Sequence, residues 1–326
     1  MINTKYIKKK IEGPVFSIIT PFLQNGKIDY TALQKYINYL YINGAKTFYV
    51  MFYNSRLGLL DEKEVLKLNK FCIDIVKKLN KKNIIICAEP YHCSTEKSIK
   101  YVKIFKNYGA DIVSLIFGEK FYNENQVFNH FKLIHNKTKI CLLLHQQLLE
   151  NGLPQKKPYT YYSINLLDKI MNLKRFVAMK EDAKNEAYTK KICQKISNKA
   201  IIITSGGGKK QWIKANKFGC QSWLSGISNL NPQIAFDFYQ LVKNKDNIEL
   251  KKYIKYLEEP FFKIVKKYGW HLAIKASLEL NKNFKRTERS PMTSIDNPNY
   301  IKLKKSLIQI SKKSKIVFEK NYLNIN

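Results

Sequence analysis

Lys180 closes an apolar run, Phe176-Val177-Ala178-Met179, and two acids, Glu181 and Asp182, follow it at once. A lysine amine adds to a carbonyl carbon only when unprotonated, and the end of a buried strand is a place where an amine can be stripped of its proton. The imine so formed draws electrons from neighbouring carbons, so a bond beside the former carbonyl can break or form, or a β-leaving group can depart. On type and place Lys180 is a candidate Schiff-base nucleophile; the alternative is one more solvated lysine. His145 closes another apolar run, Cys141 to Leu144. An imidazole, titrating ordinarily at about 6.5, can move protons near neutrality; otherwise it serves to hydrogen-bond a carbonyl.

Three further segments carry polar groups in useful combinations. Glu119, beside Lys120, could act as a second acid or base or simply neutralise its neighbour. In Phe52-Tyr53-Asn54-Ser55-Arg56, Asn54 and Ser55 can donate hydrogen bonds, and Arg56 could grip a carboxylate through two parallel bonds or pair with Glu62 or Glu64. Ser205-Gly206-Gly207-Gly208 lets backbone N–H groups come close to an anion ahead of a helix, or makes a tight turn needing positive φ. It is neither a P-loop nor a dinucleotide fingerprint.

Positioning these groups requires a framework, and short runs rich in Ile, Val and Phe alternate with segments of helical period throughout the chain. Candidate strands are Pro14 to Thr20, Lys46 to Met51, Asn83 to Ala88, Asp111 to Phe117, Lys139 to His145, Arg175 to Lys180, Ala200 to Ser205 and Gln221 to Ser225. Amphipathic stretches lie between them, such as Tyr30 to Asn43 and Asp61 to Leu79, the latter opened by Asp61 and Glu64 as a capping box. Eight strand-helix alternations predict a (β/α)8 barrel, an α/β fold whose closure leaves no edge strand. The expected division is residues 1–232 for the barrel's strands and most of its helices, and 233–326 for its last helix and a C-terminal helical extension, with Tyr253, Ile254, Leu257, Phe261, Phe262 and Ile264 as a stripe. Catalytic groups of such barrels stand at the C-terminal strand ends. That rule nominates Thr20, Phe52 to Arg56, Glu89 to His92, Gly118 to Lys120, His145, Lys180 to Asp182, Ser205 to Gly208 and Ser225 to Ser228.

The chain has 326 residues, 45% hydrophobic and 13% aromatic, enough for a large core and against disorder. A net charge of +33 raises the question of nucleic acid, but the lysines are scattered and no nucleic-acid module accompanies them, so runs such as Lys8 to Lys10 read as solvated faces. No specific nucleic-acid partner and no membrane span are expected. The six cysteines form no CxxC pair, which argues against a zinc site, and no metal is expected. With no apolar leader segment, the expected location is the cytoplasm.

Several blocks resemble the dihydrodipicolinate synthase and N-acetylneuraminate lyase family. FSIITPFLQNGKIDYTAL is similar to its first-strand block, RFVAMKED to the block ending in the Schiff-base lysine, GCQSWLSGISNLNP to the eighth-strand block, and GWHLAIKASLE with RTERSPM to the C-terminal block, together spanning about residues 13 to 292. The resemblance implies a class I lyase or aldolase, or a dehydratase, in which Lys180 forms an imine with pyruvate, another 2-keto acid or a keto-deoxy sugar acid. It implies no cofactor beyond that covalent imine, and a homotetramer or homodimer. Thr20, Tyr53, Asn54, Ser55, Arg56, Ser205, Gly206, Gly207 and Ser225 would then contact substrate, with Lys180, His145 and Glu119 catalytic. Departures are evident: Phe52 to Arg56 replaces Gly-Thr-Thr-Gly-Glu, His145 stands for a relay tyrosine, and Glu150 occupies the place of an arginine that binds the second substrate in dihydrodipicolinate synthases. That last mismatch speaks against lysine biosynthesis. A barrel that has lost catalysis and serves as a small-molecule-binding or regulatory protein is the competing reading.

Overall fold

The computed structural model describes residues 3–91, 93–118, 123–147, 149–150, 159–183, 185–204, 209–280 and 284–315. Its eight barrel strands are β1 (Gly13–Ser17), β2 (Thr47–Val50), β3 (Ile84–Ala88), β4 (Ile112–Ile116), β5 (Cys141–Gln146), β6 (Phe176–Glu181), β7 (Ile201–Thr204) and β8 (Ser222–Leu224). They close into a parallel barrel in chain order. Nearly every strand residue is buried, which is why the strands read as unbroken apolar runs rather than alternating ones. All eight expected strands are present; the first stops at Ser17, so Ile18 to Thr20 leave the ladder.

The helices are α1 (Thr4–Lys10), α2 (Tyr30–Ile42), α3 (Glu62–Leu79), α4 (Thr95–Tyr108), α5 (Glu124–Lys137), α6 (Ile164–Met171), α7 (Glu186–Ile196) and α8 (Lys209–Asn216). After β8 come α9 (Gln233–Lys243), α10 (Asn247–Tyr253), α11 (Glu259–Tyr268), α12 (Trp270–Leu280) and α13 (Asn297–Ser314). Short polar side chains set where most of them begin. Asp29, Ser94, Ser163 and Asn185 each accept a backbone N–H of the first turn. Asp61 and Glu64 form the expected capping box at α3. The C-terminal stripe is not one regular helix, because Ile254–Glu258 forms a π-helical turn just before Pro260. Proline brings no N–H to bond the carbonyl four residues back, and its ring crowds that carbonyl, so the helix widens there.

By its contacts the chain divides into two compact units: Met1–Val15, Thr47–Phe52 and Leu60–Leu224 form one, Phe16–Lys46, Tyr53–Leu59 and Ser225–Asn326 the other. All six cysteines are buried and unbridged.

One irregularity in the first unit decides which way β6 faces. Leu142 of β5 is opposite Phe176, but Leu143 is opposite Ala178, so Val177 is an extra residue on β6. Such a bulge reverses the alternation of faces. Phe176 accordingly packs against Phe131 of α5, outside the barrel, with ring centroids 5.9 Å apart. Lys180, four residues on, would point the same way in an unbroken strand. Instead it stands opposite His145 on the inner face. The inner face is identified by Tyr49 of β2 and Ser114 of β4, whose hydroxyls meet at 2.6 Å across the intervening β3.

Glu89, the residue after β3, faces the other way. Its N–H donates to Ser114 O at 3.2 Å, and its Oε1 accepts from Ile116 N at 3.1 Å, so the side chain prolongs the β3 and β4 ladder. Burial pushes its carboxyl up to about 8, against hydrogen bonds that favour ionisation. The unfolded chain ionises this group from about 4.5 while the folded one holds the proton, so stability falls as pH rises from 4.5 to about 8 and is level beyond. Glu89→Gln keeps the acceptor and removes the charge. Thermal unfolding of this variant should be higher than wild type at pH 8 by several degrees and nearly equal at pH 5, measured by circular dichroism.

Candidate active site

Lys180 is 1% exposed, at the C-terminal end of β6. Its Nζ lies 2.8 Å from Asp182 Oδ2 and 3.0 Å from His145 Nε2. The same carboxylate oxygen is 3.5 Å from His145 Nε2, so the three side chains converge on one point. Strand geometry explains the convergence. His145 and Lys180 are register partners on neighbouring strands, and Asp182, two residues beyond Lys180, returns to the same face.

The charges of this group are legible from its surroundings. Burial holds the His145 imidazole down at about 4, and the Lys180 charge adds to that, while Asp182 opposes it. His145 is therefore neutral at neutral pH. An ammonium has only donors, so the Nε2 that faces one acts as acceptor, which puts the ring proton on Nδ1. Burial alone would raise the Asp182 carboxyl, but the Lys180 charge, with the hydrogen bond that Lys180 donates, outweighs it and holds Asp182 well below the usual carboxylate range. One cation, one anion and one neutral base thus share a dry pocket. Such a set can pass a proton from amine to imidazole without creating an unpaired charge.

Asp182 was not among the expected catalytic residues, although it falls within a nominated strand end. The signal was its spacing of two from Lys180 on a strand, which puts both on one face. Glu181 between them turns outward, where Oε1 accepts from Ala183 N at 2.7 Å and Oε2 from Thr189 at 3.0 Å. Glu119, Ser205, Gly206 and Gly207 lie outside the described residues. Among the described residues no cluster of three His, Cys, Asp or Glu is arranged to hold a metal ion.

The remaining expected site residues fall in the second unit, where they hold one another. Thr20 Oγ1 donates to Ser55 O at 2.7 Å, and Ser55 Oγ donates to Ile18 O at 2.6 Å. Asn54 Nδ2 donates to Ser17 Oγ at 2.6 Å, Ser225 Oγ donates to Asn229 Oδ1 at 2.7 Å, and Asn229 Nδ2 reaches Ser17 Oγ at 3.3 Å. His271, unassigned by sequence, meets Asn54 Oδ1 through Nδ1 at 2.8 Å and stacks on Tyr53.

Arg56 requires a correction. Neither a free grip on a carboxylate nor a pair with Glu62 or Glu64 describes it. Its Nε and Nη2 grip Glu288, Nη2 also donates to His271 O at 3.0 Å, and Nη1 donates to Tyr53 O at 3.2 Å and Asn54 O at 3.3 Å. A guanidinium has five N–H donors, and all are engaged within the protein. Glu62 instead takes Lys100 at 2.9 Å, and Glu64 closes the α3 cap. Glu288 also receives Lys275 Nζ at 3.1 Å, and burial, which the Glu288 charge counters, brings the Lys275 amine down to about 7.

Over residues 10–310 the chain matches the model of the Dihydrodipicolinate synthetase family. It is similar to 4-hydroxy-tetrahydrodipicolinate synthase of Hydrogenobaculum sp., 24% identical over 301 residues, covering 91% of this chain and 98% of that protein. Similarity to the Staphylococcus epidermidis enzyme of that name is 26% over 253 residues, 76% and 80% of the two chains. Among solved structures, dihydrodipicolinate synthase from Oceanobacillus iheyensis superposes with a TM-score of 0.83 at 15% identity, over 95% of this chain and all of that one. A prophage protein of the family from E. coli K12, solved in complex with pyruvate, gives 0.79 at 14% identity over 92% and 98%. These likenesses bear out the barrel.

Removing the Arg56 side chain would leave Glu288 with Lys275 alone and take from the carbonyls of Tyr53, Asn54 and His271 the hydrogen bonds the guanidinium gives them. Arg56→Ala should therefore destabilise the protein by about 3–5 kcal/mol. The urea midpoint reads this directly, and a change within error would show the pair to be dispensable.

Proposed function

Because the chain belongs to the dihydrodipicolinate synthetase family, we propose that it is a Schiff-base lyase or aldolase, or a dehydratase, in which Lys180 condenses with pyruvate, another 2-keto acid or a keto-deoxy sugar acid. The observation that carries the reading is the buried Lys180 Nζ with a neutral imidazole nitrogen 3.0 Å away. His145 takes a proton from the amine. The freed lone pair forms the nitrogen–carbon bond while the carbonyl π pair moves to oxygen, and the imidazolium returns its proton to that oxygen. His145 then carries a second proton from the carbinolamine nitrogen to the same oxygen, which leaves as water as the nitrogen lone pair closes the iminium. The resulting iminium withdraws electrons from the neighbouring carbon, so a carbon–carbon bond or a β-leaving group there can be cleaved, or a new bond made, before water releases the product.

This chemistry needs no cofactor besides the covalent imine. Glu150, at the place where dihydrodipicolinate synthases carry a substrate-binding arginine, favours a reaction other than theirs. The substrate is a small molecule, the assembly a homotetramer or homodimer and the location the cytoplasm. No helix among the described residues is long and apolar enough to cross a membrane.

Borohydride reduction in the presence of pyruvate should add the mass of the reduced pyruvyl group to the peptide holding Lys180, and nothing in Lys180→Ala. His145→Gln should slow adduct formation by about 10²–10⁴-fold. Failure of wild type to trap any member of a panel of 2-keto acids and sugar acids would instead support a binding protein.

A further inference from the structure

We propose that Asp182 is the positioning residue of the amine chemistry: its carboxylate is the fixed counter-ion first of the Lys180 ammonium and then of the iminium, and it steadies the imidazolium that His145 becomes in between. The inference deepens the Schiff-base reading and rests on it. Geometry carries it, since one carboxylate oxygen lies 2.8 Å from Nζ and 3.5 Å from His145 Nε2, with only 16% of the Asp182 side chain exposed.

Charge balance explains why such a residue is needed. Ammonium and ketone become iminium and water. Of the three ammonium protons one stays on the iminium nitrogen and two leave with the oxygen, so His145 carries a proton twice. The nitrogen is a cation at the start and at the end, and between them the positive charge sits on His145. At every stage one positive charge stands beside Asp182. A buried cation without a partner costs several kcal/mol.

Among the described residues, no other group on the elements around Lys180 supplies this anion. Glu181, next in the chain, turns to Ala183 N and Thr189. Tyr49 of β2, which feels the Asp182 charge, is driven by burial far toward its neutral phenol and bonds Ser114. His145 of β5 is a neutral base.

The test uses Asp182→Asn, which keeps shape and removes charge, with Asp182→Glu as the conservative variant and Asp182→Ser as a second neutral one should the amide fail to fold. Reductive methylation of Lys180 by formaldehyde and cyanoborohydride, followed by peptide mass against pH, requires no knowledge of the substrate. Without the anion the amine should become reactive at a pH lower by about one unit or more, whereas Asp182→Glu should keep the wild-type profile. Exchange of the pyruvate methyl protons for deuterium, which runs through the iminium, should fall about tenfold or more in Asp182→Asn and recover in Asp182→Glu. Identical labelling profiles in wild type and both neutral variants would overturn the proposal even if pyruvate is trapped. A wild type that labels as expected but never traps a keto acid would sink the Schiff-base reading and leave the Asp182 pair standing.

Discussion

A buried ammonium must have a counter-ion, and the contact between Lys180 and Asp182 supplies it inside the barrel. The surroundings follow from that constraint. The strand residues exclude water, so the pair is unscreened and the imidazole beside it stays neutral. In the proposed chemistry neutrality makes His145 the base, and at hydrogen-bond distance it takes the ammonium proton without charge leaving the pocket. The same low dielectric that the proposed chemistry needs would penalise it if any of the three were missing.

The second unit solves a similar problem differently. Arg56 and Lys275 share one buried acid, Glu288, and Arg56 accepts a left-handed backbone, φ 58°, which an L-residue other than glycine adopts at a cost of about 1–2 kcal/mol. Five donated hydrogen bonds and the ion pair offset that strain. The hydroxyls and amides around it, from Thr20 to Ser225, satisfy one another, so this region is ordered by its own bonds.

Much of this was legible in the sequence, for physical reasons that differ by element. The barrel strands were readable because burial on both faces leaves them rich in Ile, Val, Leu and Phe, and the α3 start because Asp61 and Glu64 are local. Lys180 and His145 stood out as polar ends of apolar runs. Contacts between distant residues were not readable. The Arg56 to Glu288 pair spans 232 positions, and no local pattern announces it. Phe22, noted only as part of a motif, proves to lie beneath Lys275, 4.5 Å from its ring centroid, and near Arg289, which ties together two blocks matched separately. The π-helical turn was missed because a period of 3.6 was assumed straight through Pro260.

The extra residue on β6 has a consequence for how this protein can change. Were the ladder to run on unshifted from the Leu142 and Phe176 pair, Gln146 rather than His145 would be the register partner of Lys180, and the Lys180 nitrogen would face the helices. Substitutions along β5 and β6 alter the quality of the pocket by degrees, but loss or gain of a single peptide unit there acts on parity. The proposed chemistry can therefore be tuned residue by residue, yet an insertion or deletion that shifts the pairing of Lys180 with His145 would abolish it in one step.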